Sequence, residues 1–513
     1  MFRCVCLLNA MLVAGIAHAG DLGPKLDAIL DGKDYTHAKW GVLIVDAKTG
    51  ETVYARNAEK LMTPASVTKL YSCAAALAHI GPDYRFITPI YRRGEVTMNG
   101  FLKGDLILVA SGDLTMGGRT DADGKIAFKD QDHTYANSGL ARAELTETNP
   151  LGGLESLAEQ VAAAGIKEVQ GEVMIDDRLF ERTRGSGSGP DAISPIMVND
   201  NVIDVIIRPG ARVGDRAIVT FRPETAFAQS DVEVVTIDEA LSPMIAIRQT
   251  GPTAFSVRGR IPMKSKPIIR IVPVEDPVAF ARCLLIESLR KAGVRVNASL
   301  ARTTRNDLPE KYEGLTKVAS LTSPPFHEAI KVTLKVSHNL YASTLPCLLA
   351  MKDGQKTAEE GLVTQGKMLK QFGVPVKTIS FGGGAGGALA DCVSARATVD
   401  LLQGMRKRPE WDVYRAGFPT LGVDGTLHDV VASDSPARGK AFAKTGTLIW
   451  SDTMNGRFLL RSKALAGVIT TKSGTELTFA VFVNDVPLPV GIGASREGKT
   501  LGRIAETIHL EGP

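Results

Sequence analysis

Three short motifs stand far apart in this chain: Ser66-Val-Thr-Lys69, Ser337-His-Asn339 and Lys444-Thr-Gly-Thr447. The first two are separated by 271 residues. A fold that uses them together must bring both ends of the chain to one place. The residues between them then become an insertion. That requirement narrows the architecture more than any compositional property does.

A serine three residues before a lysine shares a helix face with it. At a helix start, free backbone N–H groups and the positive dipole end favour an oxyanion. A serine alkoxide needs a base, and lysine serves only when neutral, which burial or a second cation can bring about. Lys444 is the candidate for that cation. Ser337 and Asn339 flank one residue and point the same way in an extended or turn conformation. They offer a hydroxyl to relay a proton and an amide to bond lysine and substrate. His338, between them, reads as an ordinary turn histidine. Lys444 ends an apolar strand. With Thr445 and Thr447 it can hold a carboxylate, while Gly446 admits a substrate backbone. The N–H of Thr447 can join that of Ser66 as an oxyanion donor.

Each motif alone has a plain alternative. S-x-x-K arises by chance about once or twice in a chain of this length. Ser-His-Asn suits a helix-capping turn, and Lys-Thr-Gly-Thr a polar strand end. Their joint occurrence, in order and each on the element its chemistry needs, points to a serine acyl-transfer site without a histidine base.

The remaining features set bounds. A length of 513 residues fits two to four domains. A net charge of +4 does not suggest a nucleic-acid reader. Residues 1–19 read as a secretory leader: Arg3, a short apolar run, then Ala17-His-Ala19 as the cleavage signal, with cleavage after Ala19. Cys4 and Cys6 leave with it. Cys73, Cys283, Cys347 and Cys392 remain, without metal-site spacing, either as buried thiols or in one of three disulfide pairings. No H-E-x-x-H is present, and no metal or cofactor is expected.

Hydrophobic periodicity and turn signals predict a hairpin over residues 40–55 and a helix over 66–80. A β-rich texture starts near residue 87, with a polar stretch at 118–149 read as a surface insertion. Asp276-Pro277 opens a helix to residue 291. A helix leads into Ser337, and another follows over 339–351, which Pro346 should kink or shift. Ser394 caps a helix over 395–405. Strands at 440–447, 464–471 and 476–484 precede a last helix. The fold class is α+β. A catalytic domain is split between residues 20–86 and 276–513, with one or two nested β-rich modules at 87–275.

The chain resembles the low-molecular-mass penicillin-binding proteins of class C type, D-Ala-D-Ala carboxypeptidases/endopeptidases of peptidase family S13. The segments Pro64-Ala-Ser-Val-Thr-Lys-Leu70, Gly81-Pro-Asp-Tyr-Arg-Phe86 and Asp105-Leu-Ile-Leu-Val-Ala-Ser-Gly-Asp113 carry this resemblance. So do Ser337-His-Asn-Leu-Tyr-Ala342, Gly422-Val-Asp-Gly-Thr-Leu427 and Ala443-Lys-Thr-Gly-Thr-Leu448. It implies a penicillin-recognising serine transpeptidase/β-lactamase-like domain with two inserted β-rich domains. It implies Ser66, Lys69, Ser337, Asn339 and Lys444 as catalytic residues and Thr445, Gly446 and Thr447 as substrate-binding ones. The partners would be periplasmic peptidoglycan stem peptides ending in D-Ala-D-Ala, and β-lactams; peripheral membrane contact stays open. Gly383-Gly-Ala-Gly-Gly-Ala388 departs from the usual Asp-Gly-Ser-Gly-Leu-Ser, and Ser343 replaces a common acidic residue. Rival readings are a serine β-lactamase, which the 271-residue gap disfavours, and a non-catalytic wall-binding homologue.

Overall fold

The computed structural model describes residues 21–138, 142–301, 303 and 307–513. The expected leader lies outside these residues. Both ends of the chain build one five-stranded antiparallel sheet, in the order Ala441–Asp452, Arg457–Thr470, Glu476–Pro487, Lys39–Asp46, Thr52–Arg56. Lys39 pairs with Asn484 and Asp46 with Leu477, so the first strand closes against the last. Alternation divides its side chains between two cores. Val42 and Ile44 join Leu26, Leu501 and Ile504, which come from the flanking helices Leu22–Leu30 and Ser495–Glu511. Leu43 and Val45 face the opposite way, toward the helix Thr68–Ile80.

That helix is buried almost all round. Its run Ala74-Ala75-Ala76 lets neighbours approach closely: the helices Phe326–Lys335, Asn339–Lys352 and Ala358–Gln371 pack around it. Such a helix has little amphipathic signal, which is expected of an element in the middle of a core. Pro346 sits inside Asn339–Lys352 without moving its start. It has no N–H for the Ala342 carbonyl. Gly384 packs so closely on that carbonyl that a Cβ there would lie 2.0 Å from it.

A second sheet of six strands holds Arg295–Val296, Glu168–Val169, Phe101–Val109, Ile87–Val96 and Thr316–Thr322 in that order, with Val173–Asp176 beside Phe101–Val109. Two three-stranded sheets, built from residues 202–273, lie between its parts in sequence. The expected return to the catalytic domain at residue 276 is not what the structure shows. The helix Pro277–Lys291 forms with the expected cap, Asp276 accepting from the N–H of Val278 and Ala279. However, its Phe280, Leu284 and Leu289 pack with Ile90, Leu106 and Leu157 of the second core. Strands 295–296 and 316–322 belong to that sheet too. A cap and a stripe define a helix but not which sheet it covers.

The polar stretch at 118–149 is likewise not a surface insertion. Arg119, Asp132, His133 and Thr134 are buried in it. Polar side chains enter a core when their partners enter with them, and these do, as described below. The four cysteines are free thiols, with Cys73, Cys283 and Cys347 buried.

Leu43 lies on the strand that joins the two ends and is fully buried. Leu43→Ala should cost about 2–5 kcal/mol of stability, read as a lower urea midpoint. A loss below about 1 kcal/mol would mean that this strand pairing does not hold the domain together.

Candidate active site

Ser66 lies in a 3-10 turn, Ala65–Val67, directly ahead of the buried helix. Ala65 holds a left-handed φ of 46°, a strained conformation for a residue with a side chain. Lys69, one turn on, is fully buried, and its Nζ has three partners. Ser66 Oγ lies at 2.9 Å, Asn339 Oδ1 at 2.7 Å and the Ala385 carbonyl at 2.8 Å. The Asn339 orientation is fixed because its Nδ2 donates to the Ser188 carbonyl at 2.9 Å. Two of the three partners of Lys69 are therefore pure acceptors. A neutral lysine keeps two N–H groups, which these oxygens take. Its lone pair is then left facing Ser66 Oγ, the one partner with a proton to give.

Burial pulls Lys69 down from its ordinary value to about 7, against the charge of Asp391. Lys444 is also fully buried and donates to Ser337 Oγ at 2.9 Å and to the Thr445 carbonyl at 2.7 Å. Burial first, and then the charges of Lys69 and Lys463, hold it well below the usual lysine value. Burial is the leading cause for both lysines, and at Lys444 the charge of Lys69 adds to it.

Ser337 takes a left-handed φ of 63°, and Asn339 begins the next helix. Thr445 Oγ1 donates to Thr426 Oγ1 at 2.7 Å, within the Gly422–Leu427 motif. Gly446 has a different reason from the one expected. A Cβ there would sit 2.6 Å from the Pro64 carbonyl and 3.3 Å from Ala65 Cβ. The turn that carries Ser66 occupies that face, and the glycine allows strand and turn to touch. The strand runs on past the motif to Asp452, so Thr447 is exposed in mid-strand, where Lys463 Nζ donates to its Oγ1 at 2.8 Å.

Several site residues carry no motif. The glycine run at 383–387 supplies the Ala385 carbonyl and threads between backbones. A Cβ on Gly386, with φ 93°, would lie 1.9 Å from the Ala65 carbonyl, and one on Gly387 would lie 2.5 Å from the Gly187 nitrogen. Loss of polar side chains here coincides with a backbone contact to the base. The inserted part contributes as well: Tyr135 donates its hydroxyl to the Ser337 carbonyl, and Ser188 fixes Asn339. A carbonyl's position leaves no mark in the sequence.

His338 is not an ordinary turn histidine. It is fully buried, stacked on Tyr341 with ring centroids 3.7 Å apart, and faces Asp200 Oδ1 at 3.6 Å. Burial lowers it to about 4, so it is neutral. Asp200 accepts from the Tyr341 hydroxyl, from Arg119 Nη2 at 2.7 Å and from His133 Nε2 at 2.7 Å. Asp132 pairs with Arg119 at 2.8 Å, and Asp204 accepts from His133 Nδ1 at 2.6 Å. Burial would lower His133, but Asp204 and Asp200 outweigh it and raise it to about 10. Asn199, Asp200 and Asn201 all have positive φ, so this network holds a left-handed turn.

Residues 22–499 match the D-Ala-D-Ala carboxypeptidase 3 (S13) family. The D-alanyl-D-alanine carboxypeptidase of Actinomadura sp. (strain R39) is 28% identical over 517 residues, covering 94% of this chain and 85% of that protein. Penicillin binding protein 4 (dacB) of Haemophilus influenzae superposes with a TM-score of 0.69 at 21% identity, over 92% of this chain and 96% of that one. The same protein complexed with a novel β-lactam gives 0.67 at 20% identity, over 94% and 98%. The fold is that of the penicillin-binding serine enzymes. The chain belongs to the D-Ala-D-Ala carboxypeptidase 3 family and is a serine-type carboxypeptidase hydrolase.

Two outcomes follow from this geometry. With neutral Lys69 as the candidate base, the carboxypeptidase rate should rise with pH by about tenfold per unit below pH 7 and level off above it. A flat profile between pH 5 and 8 would remove Lys69 from that role. Gly386→Ala should push the Ala385 carbonyl away from Lys69 and slow the carboxypeptidase reaction at least about tenfold. An unchanged rate in a folded variant would show that this carbonyl is dispensable.

Proposed function

We propose that this carboxypeptidase is exported, trims peptidoglycan stem peptides ending in D-Ala-D-Ala through an acyl-enzyme on Ser66, and is blocked by β-lactams. The observation that carries the reading is Lys69 Nζ at 2.9 Å from Ser66 Oγ, with its two other neighbours able only to accept.

Ser66 Oγ attacks the carbonyl of the penultimate D-Ala while Lys69 accepts its proton. The backbone N–H groups of Ser66 and Thr447 stabilise the oxyanion. The C–N bond then breaks, and the leaving amine receives a proton through the Ser337 hydroxyl, which Lys444 holds at 2.9 Å. Terminal D-Ala departs. Water attacks the ester, returns a proton to Ser66, and releases the shortened peptide. When the leaving amine belongs to a second stem peptide, the same steps cleave a cross-link, which is the endopeptidase activity. A β-lactam meets the same nucleophile, but its leaving nitrogen stays tethered, so the adduct persists. No step calls on a metal or cofactor. The leader-like residues 1–19 support export, and the β-lactam complex of the Haemophilus influenzae protein supports the inhibitor class.

A fluorescent penicillin should label the wild-type protein and leave Ser66→Ala unlabelled, and the wild type alone should release D-Ala from a D-Ala-D-Ala peptide. No label on the wild type, or equal label on the variant, would refute Ser66 as the nucleophile. Label that disappears within seconds would favour a β-lactamase.

A further inference from the structure

Lys463 appears in none of the motifs, yet its strand places it beside them. It pairs directly with Thr447 across the Ala441–Asp452 and Arg457–Thr470 strands, before the register shift at Leu448/Ile449. From there its Nζ reaches Thr447 Oγ1 at 2.8 Å. An ammonium has no lone pair and can only donate. The Thr447 oxygen therefore accepts, and its hydroxyl proton must point elsewhere. Thr447 is exposed, on the strand that forms one edge of the sheet.

The neighbouring groups make this proton important. Thr445 spends its hydroxyl on Thr426. Lys444 is fully buried, with donors committed to Ser337 and to the Thr445 carbonyl. The exposed donor along this motif is then the Thr447 hydroxyl. Lys463 is half-buried, and burial lowers it only to about 8, with Glu497 and Asp429 opposing, so it is cationic at neutral pH. Neutralising Glu497 is not its main task, because Glu497 already accepts from Tyr35 and from Arg496, each at 2.5 Å.

We propose that Lys463 is a positioning residue that holds Thr447 as a hydrogen-bond donor and so makes the site select ligands bearing a free carboxylate. This rests on the acyl-enzyme reading above. A donor that cannot turn around binds an anion well and gains less from a neutral ester. The positive charge behind it adds to the same preference. Lys463 holds Thr447 Oγ1, and its effect passes through that hydroxyl.

The test compares acylation rate constants for benzylpenicillin and its methyl ester, taken as an acid-over-ester ratio within each variant. A reduced folded fraction cancels in that ratio. Lys463→Met should lower it roughly tenfold, the loss of one charge-assisted hydrogen bond. Lys463→Arg should restore most of it. In a Thr447→Val background, Lys463→Met should change the ratio little, because the two residues act as one unit. An unchanged ratio in Lys463→Met overturns the proposal. So does an equal fall in Thr447→Val and in the wild type, which would indicate a long-range or purely structural effect. A wild-type protein acylated by neither compound overturns the acyl-enzyme reading and this proposal with it. Acylation of the wild type with a wild-type ratio in the variant overturns this proposal alone.

Discussion

The architecture depends on a solution to one problem: an amine buried at the centre of the protein. Lys69 has no contact with solvent, and a buried ammonium without partners would be costly. Its three hydrogen bonds go to the turn ahead of its own helix, to the helix that starts at Asn339 and to the backbone at Ala385. Satisfying the amine therefore ties together three segments from distant parts of the chain. The same arrangement underlies the proposed chemistry, because two of those partners can only accept. Stability and reactivity are set here by one group of contacts.

Close backbone approach is the cost of that arrangement, and glycine meets it. Gly446 lets the edge strand touch the nucleophile turn, Gly386 lets the 383–387 segment touch Ala65, and Gly187 lies against Asn339. Polar side chains at 383–387 would have been the obvious functional signal. What matters in this chain is a carbonyl reaching a lysine.

The inserted modules do more than occupy the space between two halves. Ser188 fixes the Asn339 amide, Tyr135 holds the Ser337 carbonyl, and Asp200 grips Tyr341 beside His338. The buried Arg119, Asp132, His133, Asp200 and Asp204 satisfy one another, which is why a polar sequence can pack there. The second motif is thus held from the inserted side and faces Lys69 and Lys444 on the other.

Much of this was legible beforehand. The hairpin, the helix after Ser66, the capped helices at Asp276 and Ser394 and the terminal strands carry local signals, because period, caps and turns are properties of neighbouring residues. The motif residues were legible for the same reason: side-chain chemistry is written in residue type. From the residues alone came an α+β chain that places a serine one helix turn from a lysine and carries a long insertion. Only the tertiary structure decided that Pro277–Lys291 covers the inserted sheet, that His338 is a buried neutral ring, that Ala385 serves the base and that Lys463 stands behind Thr447. Each of these is a contact between residues distant in the chain or made by backbone atoms, and neither kind leaves a trace in local pattern.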